Sequence, residues 1–231
     1  MRVFLGVTGA SGAPYAERLL RALAAADCEV GLSASRSGIE VIATELYRDS
    51  TLAREEVLER FVGDASSHVT VYGESDFKSP YASGSAKVDA YVICPCSMAT
   101  VGTLASGAMQ NLIHRAASVA LKERRKLVLV PRETPLSSIH LRGLATLNEA
   151  GAVILFAAPG FYHARRPSTI SWTSSSRAVS ISSASRTCSQ SAGGIRRDSR
   201  DRKAPIGRGA RDVRPHRPGL RRDESRDDRR A

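Results

Sequence analysis

The sequence predicts an α/β protein built as one doubly wound parallel sheet, a single domain followed by a polar, disordered tail. Three observations carry this. Through about residue 163, apolar runs too continuous to face water alternate with amphipathic helical segments, the pattern of a parallel sheet covered on both faces. Turns of small residues follow strand after strand, where such sheets bind ligands. The charge is also lopsided. Residues 1–163 hold 16 Lys and Arg against 16 Asp and Glu, whereas the last 68 residues hold 18 against 7 and supply the whole net charge of +11.

RVFLGVTG reads as a strand ending in glycine, and APYAERLLRALAAA then sets Tyr15, Leu19, Leu20 and Leu23 on one helical face. EVGLSAS is a second strand, GIEVIATELY a helix and TLAREEVLERF a looser acidic helix. HVTVYG and KVDAYVICPC are further strands. From Met98 to Arg125 the pattern is helical with an interruption at Gly107. KLVLVPRE then reads as a buried strand, HLRGLATLNEAG as a helix ended by glycine, and AVILFAAP as a last strand. The order is Rossmann-like, and no solenoid repeat is present.

Composition narrows the function. Four cysteines, with Cys94 and Cys96 on one strand around a single proline, make no disulfide framework, and a Cys-x-Cys without a second pair or a nearby histidine makes poor zinc ligation, so no metal is expected. The N-terminal apolar run is too short for a signal or membrane segment, which sets a cytoplasmic location without membrane association as the expectation. The basic tail lacks interleaved aromatics and any RNA-binding signature, so specific nucleic-acid binding is not expected.

Site candidates lie just after the strands. In VTGASG, Gly9 and Gly12 allow a tight turn that presents N–H groups at a helix start, a place for a phosphate; a plain strand-to-helix turn reads the same way. The spacing is not GxGxxG, so a mononucleotide fits better than a dinucleotide. Ser35 in SASRSG is either a ligand donor or an N-cap. Ser97 to Thr100 open another helix with amide and hydroxyl donors. HRAASVALKERRKLVLVPRETPL places Arg115 and Lys122 seven residues apart, near one helix face, and Arg132 and Glu133 at a strand's carboxyl end. Part of the Lys122–Lys126 run also reads as a solvated charge cluster.

Together GASG, PYASGS, PCSMAT, HRAASVALKERRKLVLVPRETPL and PGFYH resemble the UbiX-type flavin prenyltransferases, from Met1 to about Ala164. The resemblance implies a homododecamer of flavodoxin-like subunits. Each would bind reduced FMN without metal and transfer a dimethylallyl group from dimethylallyl monophosphate to flavin N5 and C6, for a UbiD-type decarboxylase. The implied flavin contacts are Gly9, Ala10, Ser11, Ser35, Ser97, Met98, Ala99, Thr100 and Arg132. Lys122, Tyr162 and Arg115 are the implied prenyl-phosphate contacts, and Glu133, Lys122 and Ser11 the implied catalytic groups, with Glu133 as acid/base. One departure is Ala99, where lysine is common; a backbone role survives it. The alternatives are the FMN-dependent cysteine decarboxylases, against which VPRETPL argues, and a flavin-binding protein impaired by its tail.

That tail, residues 164–231, departs from the family, whose chain continues into a helix carrying an arginine about sixteen residues beyond the tyrosine. Here ISWTSSSRAVSISSA stands instead. Read one base earlier, each TCN serine codon supplies xTC, which encodes only Leu, Val, Ile or Phe, so the serines become an apolar run. Trp172 (TGG) followed by Thr173 (ACN) forces GAC, an aspartate. The tail therefore reads as a frameshift product beginning near Ala164 or Arg165.

Overall fold

The structure, a computed structural model, describes residues 1–158. The elements fall in the predicted alternation. Strand β1 (Arg2–Val7) is buried from Val3 onward and leads to helix α1 (Ala13–Ala25), which has Pro14 in its first turn and buries Tyr15, Leu19, Leu20 and Leu23. Strand β2 (Glu29–Ala34) is followed by α2 (Arg36–Ile42), which widens into a π-helical turn at Ala43–Tyr47 and stops at Arg48, φ 56°. Helix α3 (Arg54–Val62) carries Glu55 and Glu56 in its first turn, where the helix dipole favours them, and leads through a 3₁₀ segment to β3 (Val69–Val71).

The second half gives β4 (Ala90–Cys96), α4 (Met98–Ala105), α5 (Leu112–Lys122), β5 (Lys126–Pro131), α6 (Ser138–Glu149) and β6 (Val153–Ile154). The six strands are ordered β3-β2-β1-β4-β5-β6 and every pair is parallel. That is the Rossmann order, with the direction of winding reversing between β1 and β4. One face of the sheet packs Val3, Leu5, Leu32, Val92 and Val128 under α1, α2 and α3. The other packs Phe4, Tyr91, Ile93, Leu127 and Leu129 under α4, α5 and α6.

The interruption read at Gly107 is a full break: two helices are separated by residues 106–111, because Gly107 takes φ 77° and Asn111 caps a new start by accepting from the His114 amide. One expectation needs correction. The strand expected over 152–159 is paired only at Val153 and Ile154. Beyond them single bonds remain, Leu155 to the Leu129 carbonyl and Ala157 to that of Pro131, on an edge with no further strand outside it among the described residues. No described helix is long and apolar enough to cross a membrane.

Candidate functional site at the carboxyl edge of the sheet

The turn after β1 is held from two sides. A Cβ at Gly9 would lie 2.5 Å from the Ser37 Cβ, so only glycine lets this loop approach the start of α2. Gly12 sits at φ 129°, which L side chains rarely adopt, and turns the chain into α1. The amides of Gly12 and Ala13 both donate to Glu45 Oε2, at 2.8 Å each. Pro14 has no N–H, and the Tyr15 amide donates to the Gly12 carbonyl. The α1 start is thus already filled by a carboxylate delivered from the π-helical turn. Glu45 lies 33 residues from Gly12 in sequence, so only the folded chain shows it to be part of the site.

The second helix start is different. Ser97 caps α4: its Oγ accepts from the Thr100 amide at 3.2 Å and pairs with Thr100 Oγ1 at 3.0 Å. The Ser97 amide donates to Thr8 Oγ1 at 2.8 Å, and that hydroxyl donates to the Pro95 carbonyl at 2.9 Å. The amides of Met98 and Ala99 donate to none of the described residues. The start of α4 therefore offers two amides and the one hydroxyl proton that the Ser97–Thr100 pair leaves free, and its first turn holds no acidic residue.

Ser35 caps α2, accepting from the Gly38 amide at 3.1 Å, so its side chain has the N-cap role. From the end of β5, Arg132 Nε donates to the Ser11 carbonyl at 3.1 Å, which draws the Arg132–Glu133 pair to the turn after β1. Glu133 is exposed, and its Oε1 accepts from the Thr134 amide at 3.1 Å. The structure thus gathers Gly9, Ala10, Ser11, Ser35, Ser97, Met98, Ala99, Thr100, Arg132 and Glu133 along one edge of the sheet.

Within one protomer it does not gather Lys122. Helix α5 runs antiparallel to the strands, so its last residue lies at the amino edge, just before the turn into β5. Lys122 Nζ pairs there with Glu123 at 3.1 Å and lines a groove of about 620 Å³ with Arg124, Arg125 and Glu149. Arg115 is seven residues earlier, about 10 Å along the helix; its Nε donates to the Ala82 carbonyl at 2.9 Å. Tyr162 and the tail lie outside the described residues. Cys94 and Cys96 are buried in the two opposite faces of the sheet, and burial pushes the Cys94 thiol up to about 12 and raises Cys96 as well, so neither supplies a thiolate. Among the described residues, no group of three or more His, Cys, Asp or Glu is placed to hold a metal.

Comparison with known proteins agrees with this architecture. The Flavoprotein family profile matches residues 1–173. The flavin prenyltransferase UbiX of Pseudomonas aeruginosa is 50% identical over 167 residues, covering 70% of this chain and 79% of the relative. The crystal structure of AnUbiX in complex with FMN and dimethylallyl pyrophosphate superposes with a TM-score of 0.67 at 35% identity, over 78% of this chain and 90% of that one. A dodecameric FMN-dependent UbiX-like decarboxylase from Escherichia coli gives 0.62 at 34% identity, over 72% and 85%. With half of its residues shared across the span that builds the carboxyl edge, the chain belongs to the UbiX-type flavin prenyltransferases of the flavoprotein family.

Proposed function

We propose that the chain binds FMN along the carboxyl edge of its sheet and transfers a dimethylallyl group from dimethylallyl monophosphate to flavin N5 and C6. The observation that carries this is the donor set at the start of α4, the Met98 and Ala99 amides with the one hydroxyl proton left free by the Ser97–Thr100 pair. A phosphate monoester suits such donors at a helix N-terminus. The equivalent amides of α1 already serve Glu45, so the FMN phosphate belongs to α4. Gly9, Ala10, Ser11, Ser35 and Arg132 complete the flavin contacts.

Reduced FMN, when bound, supplies the nucleophilic positions that accept the prenyl group. The chain's own residues hold the prenyl phosphate and move the protons. Arg115, Lys122 and Tyr162 grip the phosphate, where charge builds as the carbon–oxygen bond breaks and preorganised cations act most strongly. Glu133 takes the proton released at N5 and passes one to the departing phosphate. Ser11 orients the reacting groups from the turn after β1.

Because Lys122 stands at the amino edge of its own sheet, it serves the site of a second copy. The dodecameric E. coli neighbour supports such an assembly. A UbiD-type decarboxylase then receives the product. Three unpaired buried cysteines among the described residues fit a reducing, cytoplasmic setting.

Two measurements test this reading. FMN titrated into the protein should show saturable fluorescence quenching; well-folded protein without it would sink the assignment. Lys122→Ala and Glu133→Gln chains, each inactive alone, should regain prenyl transfer when unfolded and refolded together, since mixed assemblies contain intact sites. Recovery absent from mixed assemblies that bind FMN would show that each site is built from one copy.

A further inference from the structure

We propose that Thr8 is a positioning residue which sets the start of α4 for the phosphate of FMN. The inference rests on the assignment of that phosphate to α4 made above. Thr8 is the first residue after β1, 2% exposed, and it stands where the order of strands reverses. The β1–β4 register ends at Gly6 and Ile93, and β4 shifts against β5 between Ile93 and Cys96. Past Ile93 the chain leading to α4 is no longer paired with β1 and meets β5 again only at Cys96, opposite Pro131. Thr8 holds it on the β1 side.

Three bonds do this. The Thr8 amide donates to the Pro95 carbonyl at 3.2 Å, its hydroxyl donates to the same carbonyl at 2.9 Å, and that hydroxyl accepts from the Ser97 amide at 2.8 Å. Ser97 in turn holds Thr100 through its Oγ, so the direction of the Met98 and Ala99 amides depends on where Ser97 is pinned. On its other side the Thr8 carbonyl accepts from the Ala10 amide at 2.9 Å, which ties the turn after β1 to the same anchor. One residue thus joins the two flavin-contacting segments of a protomer.

The chemistry at this position is narrow. The side chain must donate to a carbonyl and accept from an amide at once, in a buried space of its own size, which only a hydroxyl does. Removing it leaves the half-buried Ser97 N–H without its acceptor, a cost relieved by letting the α4 start move. A shift of about 1 Å there is enough to spoil phosphate recognition.

The test compares FMN with riboflavin, which lacks the phosphate, by fluorescence titration of the full chain carrying Thr8→Val, Thr8→Ala or Thr8→Ser. Thr8→Val and Thr8→Ala should weaken FMN about tenfold or more while leaving riboflavin within about twofold. Thr8→Ser should restore the wild-type ratio of the two affinities. FMN binding unchanged in Thr8→Val and Thr8→Ala overturns the inference, as does equal weakening of both flavins, which marks a packing role only. If both fold poorly, Thr8→Ser still decides: a loss of FMN affinity of about tenfold with the hydroxyl kept overturns it. Wild-type protein that binds no flavin overturns the proposed function and this inference with it.

Discussion

Glu45 and Glu133 approach the carboxyl edge with opposite surroundings. Glu45 is committed to two helix amides, whereas Glu133 is exposed and takes a single bond from the next residue's amide. An acid/base group acts in the transition state more than in binding, so Glu133→Gln should leave FMN affinity within a few fold. Prenyl transfer should fall by roughly a hundredfold or more. Single-turnover kinetics on FMN-loaded protein check this, and unchanged turnover would remove Glu133 from the mechanism. Glu133 is legible in the sequence because it comes directly after a buried strand. Glu45 is not, since it lies inside a helical pattern and joins the site only through a loop 33 residues away. For Lys122 the helix face is readable, but which edge of the sheet that helix ends on depends on the direction of α5.

Among the elements, β1, β4 and β5 are plain in the sequence because each is a run buried on both faces. Strand β6, at the edge of the sheet among the described residues, reads longer than its pairing with β5, since a strand held from one side pairs only as far as that neighbour holds it. The α4–α5 break shows through Gly107 alone, yet its structure also depends on His114, which is 5% exposed and accepts from the Gln110 amide through Nδ1 at 3.3 Å. That bond requires a ring unprotonated at Nδ1, and burial lowers the pKa of His114 from 6.5. The unfolded chain therefore takes up a proton near that ordinary value while the folded chain still resists. Over this window the unfolded state binds more protons, so stability is lost as pH falls below about 6.5. Thermal melts should show a lower midpoint at about pH 5.5 than at about pH 7.5. His114→Gln, whose side-chain carbonyl can accept the same amide, should flatten that difference; an unaltered pH slope would clear His114 of the effect.

For the whole chain, we infer that the sequence after Ala164, read as a frameshift product, limits prenyl transfer. Val153 and Phe156, just before it, are 41% and 40% exposed. Returning the reading frame after Ala164 should add an amphipathic helix and its arginine. Charge-assisted hydrogen bonds from that arginine are worth about 1.5 to 3 kcal/mol, or roughly ten- to a hundredfold in prenyl-phosphate affinity. The repaired protein should gain prenyl transfer and melting temperature together, while deletion of residues 165–231 should gain neither. Equal turnover by the 231-residue chain and the repaired one would make the serine-rich tail a working part of the enzyme. At the same scale, the carboxylate at the start of α1 bears on which cofactors the fold admits. The strand order is that of proteins which seat a pyrophosphate on the first helix, between two nucleoside halves. Here an internal anion already holds that seat, and its negative charge repels a second one. The molecule keeps the architecture of a dinucleotide reader, yet a pyrophosphate at α1 would meet the Glu45 carboxylate, so NAD and FAD should bind far more weakly than FMN in parallel titrations.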